Sequence, residues 1–402
     1  YGDHRDLHSF PTRRSSISIC EGATPAPFTS IAASGDGTKS YQWQFSTDSI
    51  SYSNVPAGGL TASYSSGPLT EDTWFRRLST ATEGSVSCME ITDTIKITVI
   101  NFNPGNISGP QTICENDTPA AFTSTDATGD GVITYQWQAS LDGTNFTNIT
   151  GATLNVYAHG SMTTDTWFRR QATATLNGSQ CIENTTPVLI TVNNMTPGSI
   201  SGTQTICEGV TPAAFTSVPA TGDGDITYQW MQSSDNGANW VNVPSGGDVE
   251  IYVAPELDAD MWYKRVATST ENGIPCPEES NVIMVTVNNF NPGNIAAEQT
   301  ICENTAPAPF TSITPTGDGV FTYRWFRSND DITYAPIPTA ISETYSPGIL
   351  AQDTWYFREV TSTIGTNKCI ARTDTIKIIV NNFDPGNITG SQTICEDSAP
   401  TE

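Results

Sequence analysis

A frame of two cysteines and two tryptophans recurs four times along the chain and constrains its fold more than any other feature. In each copy the first tryptophan follows the first cysteine by 23 residues, and the second cysteine follows the second tryptophan by 14. Such self-similarity predicts a tandem repeat of one small domain. The four frames are Cys20, Trp43, Trp74, Cys88; Cys114, Trp137, Trp167, Cys181; Cys207, Trp230, Trp262, Cys276; and Cys302, Trp325, Trp355, Cys369.

The period sets the expected domain division. The first cysteines recur at intervals of 94, 93, 95 and 93 residues, and Cys395 opens a fifth frame. Residues 1–16 do not match the repeat; because residues 8–16 resemble translated sequencing-adapter sequence, we leave this segment out of the fold prediction. The predicted repeats are residues 17–102, 103–195, 196–290 and 291–383, followed by the truncated start of a fifth at 384–402.

Composition narrows the classes of partner. Lysine and arginine number 17 against 42 aspartates and glutamates, a formal charge of −25, which disfavours nucleic acid and anionic membrane surfaces as partners. The sequence contains no run of 18 apolar residues, so no membrane-spanning segment is predicted. Charged residues are only 15% of the chain and apolar residues 37%, a mixture that favours short strands with polar outer faces.

The nine cysteines predict a disulfide framework. We expect four bridges inside the repeats, with Cys395 paired to a residue beyond Glu402. Metal thiolates are disfavoured because the chain has no Cys-x-x-Cys and no histidine close to the cysteines. Disulfides indicate an oxidising compartment outside the cytoplasm. Closing a loop of this size would contribute roughly 4 kcal/mol per repeat on the chain-entropy model.

Short alternating segments predict an all-β fold of antiparallel sandwiches. In the second repeat, aromatic and amide residues alternate over residues 135–138, so one face of this strand is buried. Residues 153–157, 165–170 and 187–192 predict further strands, with turns about every ten residues and no helix. The first tryptophan of each frame is the expected core pin of its repeat: Trp43, Trp137, Trp230 and Trp325.

The segments between repeats are short and nearly identical. Each has the form Asn-x-x-Pro-Gly, with phenylalanine or methionine after the asparagine. Proline stiffens such a segment, and the apolar residue can dock at the domain junction. This pattern favours a semi-rigid array. The four linkers are residues 101–105, 194–198, 289–293 and 382–386.

These motifs resemble a known kind of repeat. Gln-Thr-Ile-Cys-Glu, Tyr-Gln-Trp-Gln and Asp-Thr-Trp-Phe-Arg-Arg are similar to motifs in the immunoglobulin-like (PKD-like) repeats of very large secreted surface proteins of Bacteroidota. The resemblance covers about residues 17–402 and implies extracellular or cell-surface proteins, often adhesin-like. The distance from cysteine to tryptophan exceeds that of antibody domains. We therefore expect Cys20–Cys88 and its equivalents to join the first strand to the last hairpin near one pole of each sandwich.

A candidate ligand face lies after the second tryptophan. There an aromatic residue and an arginine two positions later share one face of a strand, as stacking on a ligand requires. The favoured interpretation is structural, with the tryptophan packed in the core at a strand corner and the arginine paired to a carboxylate of the same domain. The residues are Phe75, Arg77, Phe168, Arg170, Tyr263, Arg265, Tyr356 and Arg358.

Acidic turns are the second candidate site. Asp36, Asp130, Asp223 and Asp318 recur in a Gly-Asp-Gly turn, which we expect to be solvated; calcium between domains is the alternative. No other metal or cofactor is predicted. The family context suggests O-glycosylation of Asp-Ser/Thr-apolar sequences, at Ser49, Thr94, Thr375 and Ser398.

Enzymatic function is not predicted, because His159 is the single histidine outside residues 1–16. The sequence favours a structural segment of a surface protein, a stiff stalk or filament body, whose partners are neighbouring repeats and other copies in a fibre. The alternative is an array of modules that bind carbohydrate or protein through the aromatic and arginine face, with surface glycans as ligands. A third hypothesis is strand donation between copies.

Overall fold

The computed structural model describes residues 17–402; the expectations for residues 1–16 fall outside them. The described residues form 36 β-strands and no helix. By their contacts the described residues form two compact units, residues 17–195 with Thr270–Cys276, and Thr196–Ser269 with Pro277–Glu402. The fold is therefore all-β, and four similar groups of strands correspond to the four sequence repeats.

The first two repeats lie in the first unit. Repeat 1 contains β1 (Ile17–Cys20), β2 (Thr38–Ser46), β3 (Ser53–Asn54), β4 (Thr73–Glu83), β5 (Val86–Ile91) and β6 (Ile95–Ile100). Repeat 2 contains β7 (Phe102–Asn103), β8 (Asn106–Ser108), β9 (Gln111–Cys114), β10 (Thr123–Thr125), β11 (Thr128–Gly129), β12 (Val132–Ser140), β13 (Thr147–Asn148), β14 (Thr166–Leu176), β15 (Ser179–Asn184) and β16 (Val188–Asn193).

The last two repeats follow the same plan. Repeat 3 contains β17 (Met195–Thr196), β18 (Ser199–Ser201), β19 (Gln204–Cys207), β20 (Thr216–Val218), β21 (Thr221–Gly222), β22 (Asp225–Ser233), β23 (Val241–Asn242), β24 (Met261–Glu271), β25 (Ile274–Glu279) and β26 (Ile283–Asn288). Repeat 4 contains β27 (Phe290–Asn291), β28 (Asn294–Ala296), β29 (Gln299–Cys302), β30 (Thr311–Ile313), β31 (Thr316–Gly317), β32 (Val320–Ser328), β33 (Ala335–Pro336), β34 (Thr354–Ile364), β35 (Asn367–Arg372) and β36 (Ile376–Asn381). Residues 382–402 form no strand.

Each repeat is built on one large sheet. In repeat 2 the strand order is β13-β12-β14-β16-β9, and β15 pairs with the end of β14 beyond β16. All neighbours are antiparallel except β9 and β16, which run parallel from Ile190 beside Gln111 to Asn193 beside Cys114. The first cysteine therefore sits at the end of an edge strand. A two-stranded sheet of β8 and β10 forms the second layer.

The core lies between these two layers. Ile107 of the small sheet packs with Trp137, Phe168 and Ile190 of the large sheet. Burial of a tryptophan removes a large apolar area from water, so each core depends heavily on this residue. Trp137, Trp230 and Trp325 are fully buried and Trp43 is 2% exposed, which are the positions expected from the alternating pattern.

The segment at residues 153–157 differs from its prediction as a strand. It has no ladder partner, and its carbonyls serve as acceptors for buried side chains instead. Trp137 Nε1 donates to Leu154 O at 2.9 Å, and Arg170 Nη1 donates to Asn155 O at 2.8 Å. The alternation of residues therefore places Tyr157 against Trp137 without requiring a β-ladder.

Candidate functional site: the junctions between repeats

Three disulfides join consecutive repeats. In each, the first cysteine of one repeat bonds the second cysteine of the following repeat, and the two Cα atoms are 5.5 Å apart. The chain has about one bridge per repeat, three where four were expected, and Cys88 and Cys302, which were expected to be bonded, are free. The expected partners, such as Cys20 with Cys88, were wrong, because the first strand of a repeat ends next to the following repeat's hairpin. The bonds are Cys20–Cys181, Cys114–Cys276 and Cys207–Cys369.

Hydrogen bonds accompany each disulfide. The hairpin before the second cysteine contains an asparagine that reaches the first strand of the preceding repeat. Asn177 Nδ2 donates to Ser18 Oγ at 3.0 Å, and Ser179 Oγ donates to Ser18 O at 2.7 Å. The equivalent bonds run from Asn272 Nδ2 to Thr112 Oγ1 and from Asn367 Nδ2 to Thr205 O, each at 3.0 Å. The junction is thus a specific interface as well as a covalent link.

The junction between repeats 1 and 2 also has an apolar core of its own. Ile100, at the end of the last strand of repeat 1, is 1% exposed and packs with Ala174 and Cys181 of repeat 2. Phe102 of the linker joins the edge of this cluster, as the sequence predicted for the apolar linker residue. Asn193 and Asn288, which occupy the position of Ile100 in repeats 2 and 3, are equally buried.

The Gly-Asp-Gly turn binds the linker. Asp130 Oδ2 accepts a hydrogen bond of 3.0 Å from the backbone N–H of Asn101, and the backbone N–H of Asp130 donates to Asn101 O at 3.0 Å. Asp318 and Asn289 make the same exchange in repeat 4, at 3.3 and 2.7 Å. The carboxylates at Asp130 and Asp318 are therefore clamps on the linker backbone, although the sequence predicted solvated turns.

The arginine of the predicted ligand face is buried. Arg170, Arg265 and Arg358 are fully buried and Arg77 is 4% exposed. The aromatic partners Phe75, Phe168, Tyr263 and Tyr356 lie in the hydrophobic cores, none more than 5% exposed. These eight side chains therefore do not form the exposed ligand face that the sequence left as the less favoured interpretation. Alternation correctly placed aromatic and arginine on one face of the strand, but that face is the inner one.

The buried guanidinium holds the linker proline. Arg170 Nη2 donates to Pro104 O at 3.0 Å and to Thr125 O at 2.6 Å, and its guanidinium carbon lies 4.5 Å from the centre of the Tyr135 ring. Arg265 and Arg358 bind the linker prolines of repeats 3 and 4 in the same way. These hydrogen-bond partners are backbone carbonyls and not the carboxylate that the sequence predicted. Desolvation lowers the pKa of the Arg170 side chain, opposed by Tyr135 and Asp126.

The glycine after the linker proline is required by close packing. Gly105 has a φ of +72°, and a Cβ there would lie 2.3 Å from Thr125 O and 2.8 Å from Arg170 Nη2. Only glycine adopts this backbone conformation freely while leaving the arginine its place. The Pro-Gly pair is thus part of the arginine site.

One family model matches almost the whole chain. It is described as "Domain of unknown function (DUF8696)", and it matches residues 11–101, 103–194, 196–289 and 291–382. The chain belongs to this family. The four matches make it a tandem array of DUF8696 domains, each of which is an all-β sandwich in the described residues. None of the curated proteins matches the chain in sequence.

Several solved structures of multidomain proteins are similar to this chain. Sidekick-1 immunoglobulin domains 1–4 are 14% identical, with 91% of this chain and 96% of that chain covered and a TM-score of 0.25. The N-terminal four Ig domains of Dscam1 isoform 6.9 are 12% identical, with 92% and 98% covered and a TM-score of 0.25. Three N-terminal domains of the bacteriophage RB49 outer capsid protein Hoc are 11% identical, with 71% and 100% covered and a TM-score of 0.31.

The remaining predicted positions lie on the surface. The four serines and threonines proposed for O-glycosylation are exposed. Among residues 17–402 no group of three or more histidine, cysteine or acidic residues could hold a metal ion, and no helix is long and apolar enough to cross a membrane. The free cysteines in that range are exposed: Cys88, Cys302 and Cys395.

Sequence reasoning did not anticipate the environment of His159. Its ring packs edge-on against Phe122, Tyr157 and Phe168, with centroids 4.6 to 5.0 Å apart, beside a shallow cavity of about 280 Å³. Neither ring nitrogen has a hydrogen-bond partner, and burial lowers the pKa of His159. The spacing could have indicated that His159 is buried, since it follows Tyr157 by two residues and so shares its inward face.

Proposed function

We propose that this chain is a non-enzymatic structural segment of a large extracellular bacterial surface protein, in which it forms a stiff stalk or filament body that serves adhesion or cell-surface architecture. The observation that carries the proposal is the set of disulfides between consecutive repeats. A bond inside a domain stabilises that domain, whereas a bond between domains restricts their separation. The proposal thus assigns the repeats a shared mechanical role.

The same bonds support the proposed compartment. Structural disulfides persist in oxidising surroundings and are rare where thiols are kept reduced, which supports an extracellular location. The PKD-like motifs support an origin in Bacteroidota. We also propose that the domain boundaries are those predicted from the sequence. Calcium, O-glycans, other copies of the chain and surface glycans are proposed partners; the burial of the aromatic and arginine face removes the main support for a ligand site there.

Electron microscopy of the full-length native protein tests this function. A thin beaded fibre on the cell surface supports it, and a compact particle inside the cell contradicts it. A parallel test uses non-reducing electrophoresis of native material after alkylation of free thiols. If the six cysteines of the three bonds are alkylated in the cell, the compartment is reducing and the proposed location is wrong.

A further inference from the structure

The three disulfides enclose overlapping parts of the chain. Residues 114–181 lie inside both of the first two loops, and residues 207–276 lie inside both of the last two. Bonds confined to single repeats would instead produce four separate loops in series. Overlap changes the shortest covalent path along the molecule, because a path can cross one bond and reach the next without following the polypeptide through a whole repeat.

We propose that this overlap makes the array a load-bearing tether whose extension under force is limited by a short covalent route through two of the disulfides. The inference deepens the structural role proposed above and rests on it. From Ile17 the route runs to Cys20, crosses to Cys181, follows the chain to Cys207, crosses to Cys369 and continues to Phe383. Tension applied to the two ends is carried by these segments.

The route leaves out most of each sandwich core. The strands β12 and β14, with Trp137 and Arg170, lie between residues 114 and 181, and their counterparts β32 and β34 lie between residues 302 and 369. Unfolding these strands adds no length between the ends, because both loops are already bypassed by disulfides. Repeat 2 contributes to the route only through residues 181–195, which include β16, paired to β14 and β9.

The length limit follows from the dimensions of an extended chain. At roughly 3.5 Å per residue, the route from Ile17 to Phe383 is about 150 Å long, against about 1,300 Å for the same residues without disulfides. Four bridges inside single repeats would give about 330 Å on the same scale. The three connectivities therefore differ by a measurable contour length.

The bonds do not contribute equally, which supplies a matched control. Cys114–Cys276 does not lie on the shortest route, so its loss leaves the limit unchanged. Loss of Cys20–Cys181 forces the route through residues 17–114, 207–276 and 369–383 and raises the limit to about 630 Å at roughly 3.5 Å per residue. Both double variants, C20S/C181S and C114S/C276S, remove one bond of nearly equal loop size.

Single-molecule force spectroscopy on the full chain tests the proposal. The protein carries a handle at each end, its free thiols are alkylated, and the contour length is fitted for the oxidised wild type, both double variants and the wild type reduced in place. The terminal tails add the same length to every protein. We expect a short limit in the wild type and C114S/C276S, a fourfold longer one in C20S/C181S, and about ninefold in the reduced protein.

Two results would overturn the proposal. One is a series of unfolding steps in the oxidised wild type that together exceed the short limit; the other is equal lengthening in both double variants. If C20S/C181S does not fold, reduction of the folded wild type under load still gives the comparison. A short limit in a protein that is found inside the cell would contradict the proposed function alone, and a long limit in a surface fibre would contradict the tether alone.

Discussion

Cys114 and Cys276 are 162 positions apart in sequence, and their Cα atoms are 5.5 Å apart. A separation of this size exceeds one repeat, so the bond ties the first strand of repeat 2 to the hairpin of repeat 3. The same relation holds for Cys20 with Cys181 and for Cys207 with Cys369. The period of the sequence is therefore also the period of its covalent links.

Thiol chemistry gives a direct check of this connectivity. When residues 17–402 are produced as an isolated segment, we expect three reactive thiols, at Cys88, Cys302 and Cys395, because these side chains are exposed and unbonded. Nine should react after reduction and unfolding. Proteolysis without reduction, followed by mass spectrometry, should yield peptides that link Cys20 to Cys181. Peptides that link Cys20 to Cys88 would contradict the structure.

Arg170→Met should destabilise repeat 2. The substitution removes the donor to Pro104 O, Thr125 O and Asn155 O and leaves these carbonyls without that partner, at a cost of about 3 kcal/mol. Hydrogen exchange of the β14 amides should report the loss. Arg169→Met is the control, since the Arg169 guanidinium lies on the outer face over the Phe146 ring. Equal effects of the two changes would argue against a special role for the buried arginine.

Gly105→Ala should disturb the linker far more than Gly386→Ala. Both glycines follow a linker proline and have a φ of +72°, so the backbone strain is common to the two positions. At Gly105 the new methyl group would lie 2.3 Å from Thr125 O, whereas nothing lies within 4 Å at Gly386. We expect Gly105→Ala to lower the stability of repeat 2 by about 2 kcal/mol or more. Gly386→Ala introduces the backbone strain alone, which should cost about 1 kcal/mol or less. Thermal unfolding followed by hydrogen exchange distinguishes them.

His159 should make repeat 2 sensitive to acid. Burial lowers the pKa of His159 in the folded chain below its ordinary value of 6.5, so the unfolded state binds the proton more readily. This contribution to stability is complete above pH 6.5 and is lost as the pH falls from 6.5 through the lowered pKa of the folded state. Exchange rates of the β14 amides between pH 7.5 and 5 measure it. Repeat 3 has alanine, Ala254, at the position of His159. The variant His159→Ala should therefore fold and lack this pH dependence.

Spacing alone could predict the repeat and the sandwich, because both depend on local pattern. Alternation about Trp137 indicates a strand with one buried face, and four similar copies indicate four similar cores. The disulfide partners could not be predicted in this way. Cys88 and Cys181 have the same place in their repeats, so a period of about 93 residues fits Cys20 with either one. Loop entropy favours the nearer partner, Cys88. The actual partner is set by the tertiary structure, in which β9 and its equivalents end beside the hairpin of the following repeat.

The arginines illustrate a second limit of sequence reasoning. A period of two places Phe168 and Arg170 on one face of β14 without telling which face is inside. A charged residue favours the outer face as a first estimate, since an isolated buried charge is costly. The carbonyls of Pro104, Thr125 and Asn155 offset that cost, and they come from three separate segments. Such a site is a property of the tertiary structure.

The overlap of the disulfide loops has a consequence for proteolysis. Every peptide bond from Cys20 to Cys369 lies inside at least one of the three loops. A protease that cuts the chain once in this range therefore does not release a fragment, because the two pieces stay covalently joined. Within residues 114–181 and 207–276 two separate bonds hold the pieces together. The array can be nicked at an exposed turn and still keep its two ends attached to each other.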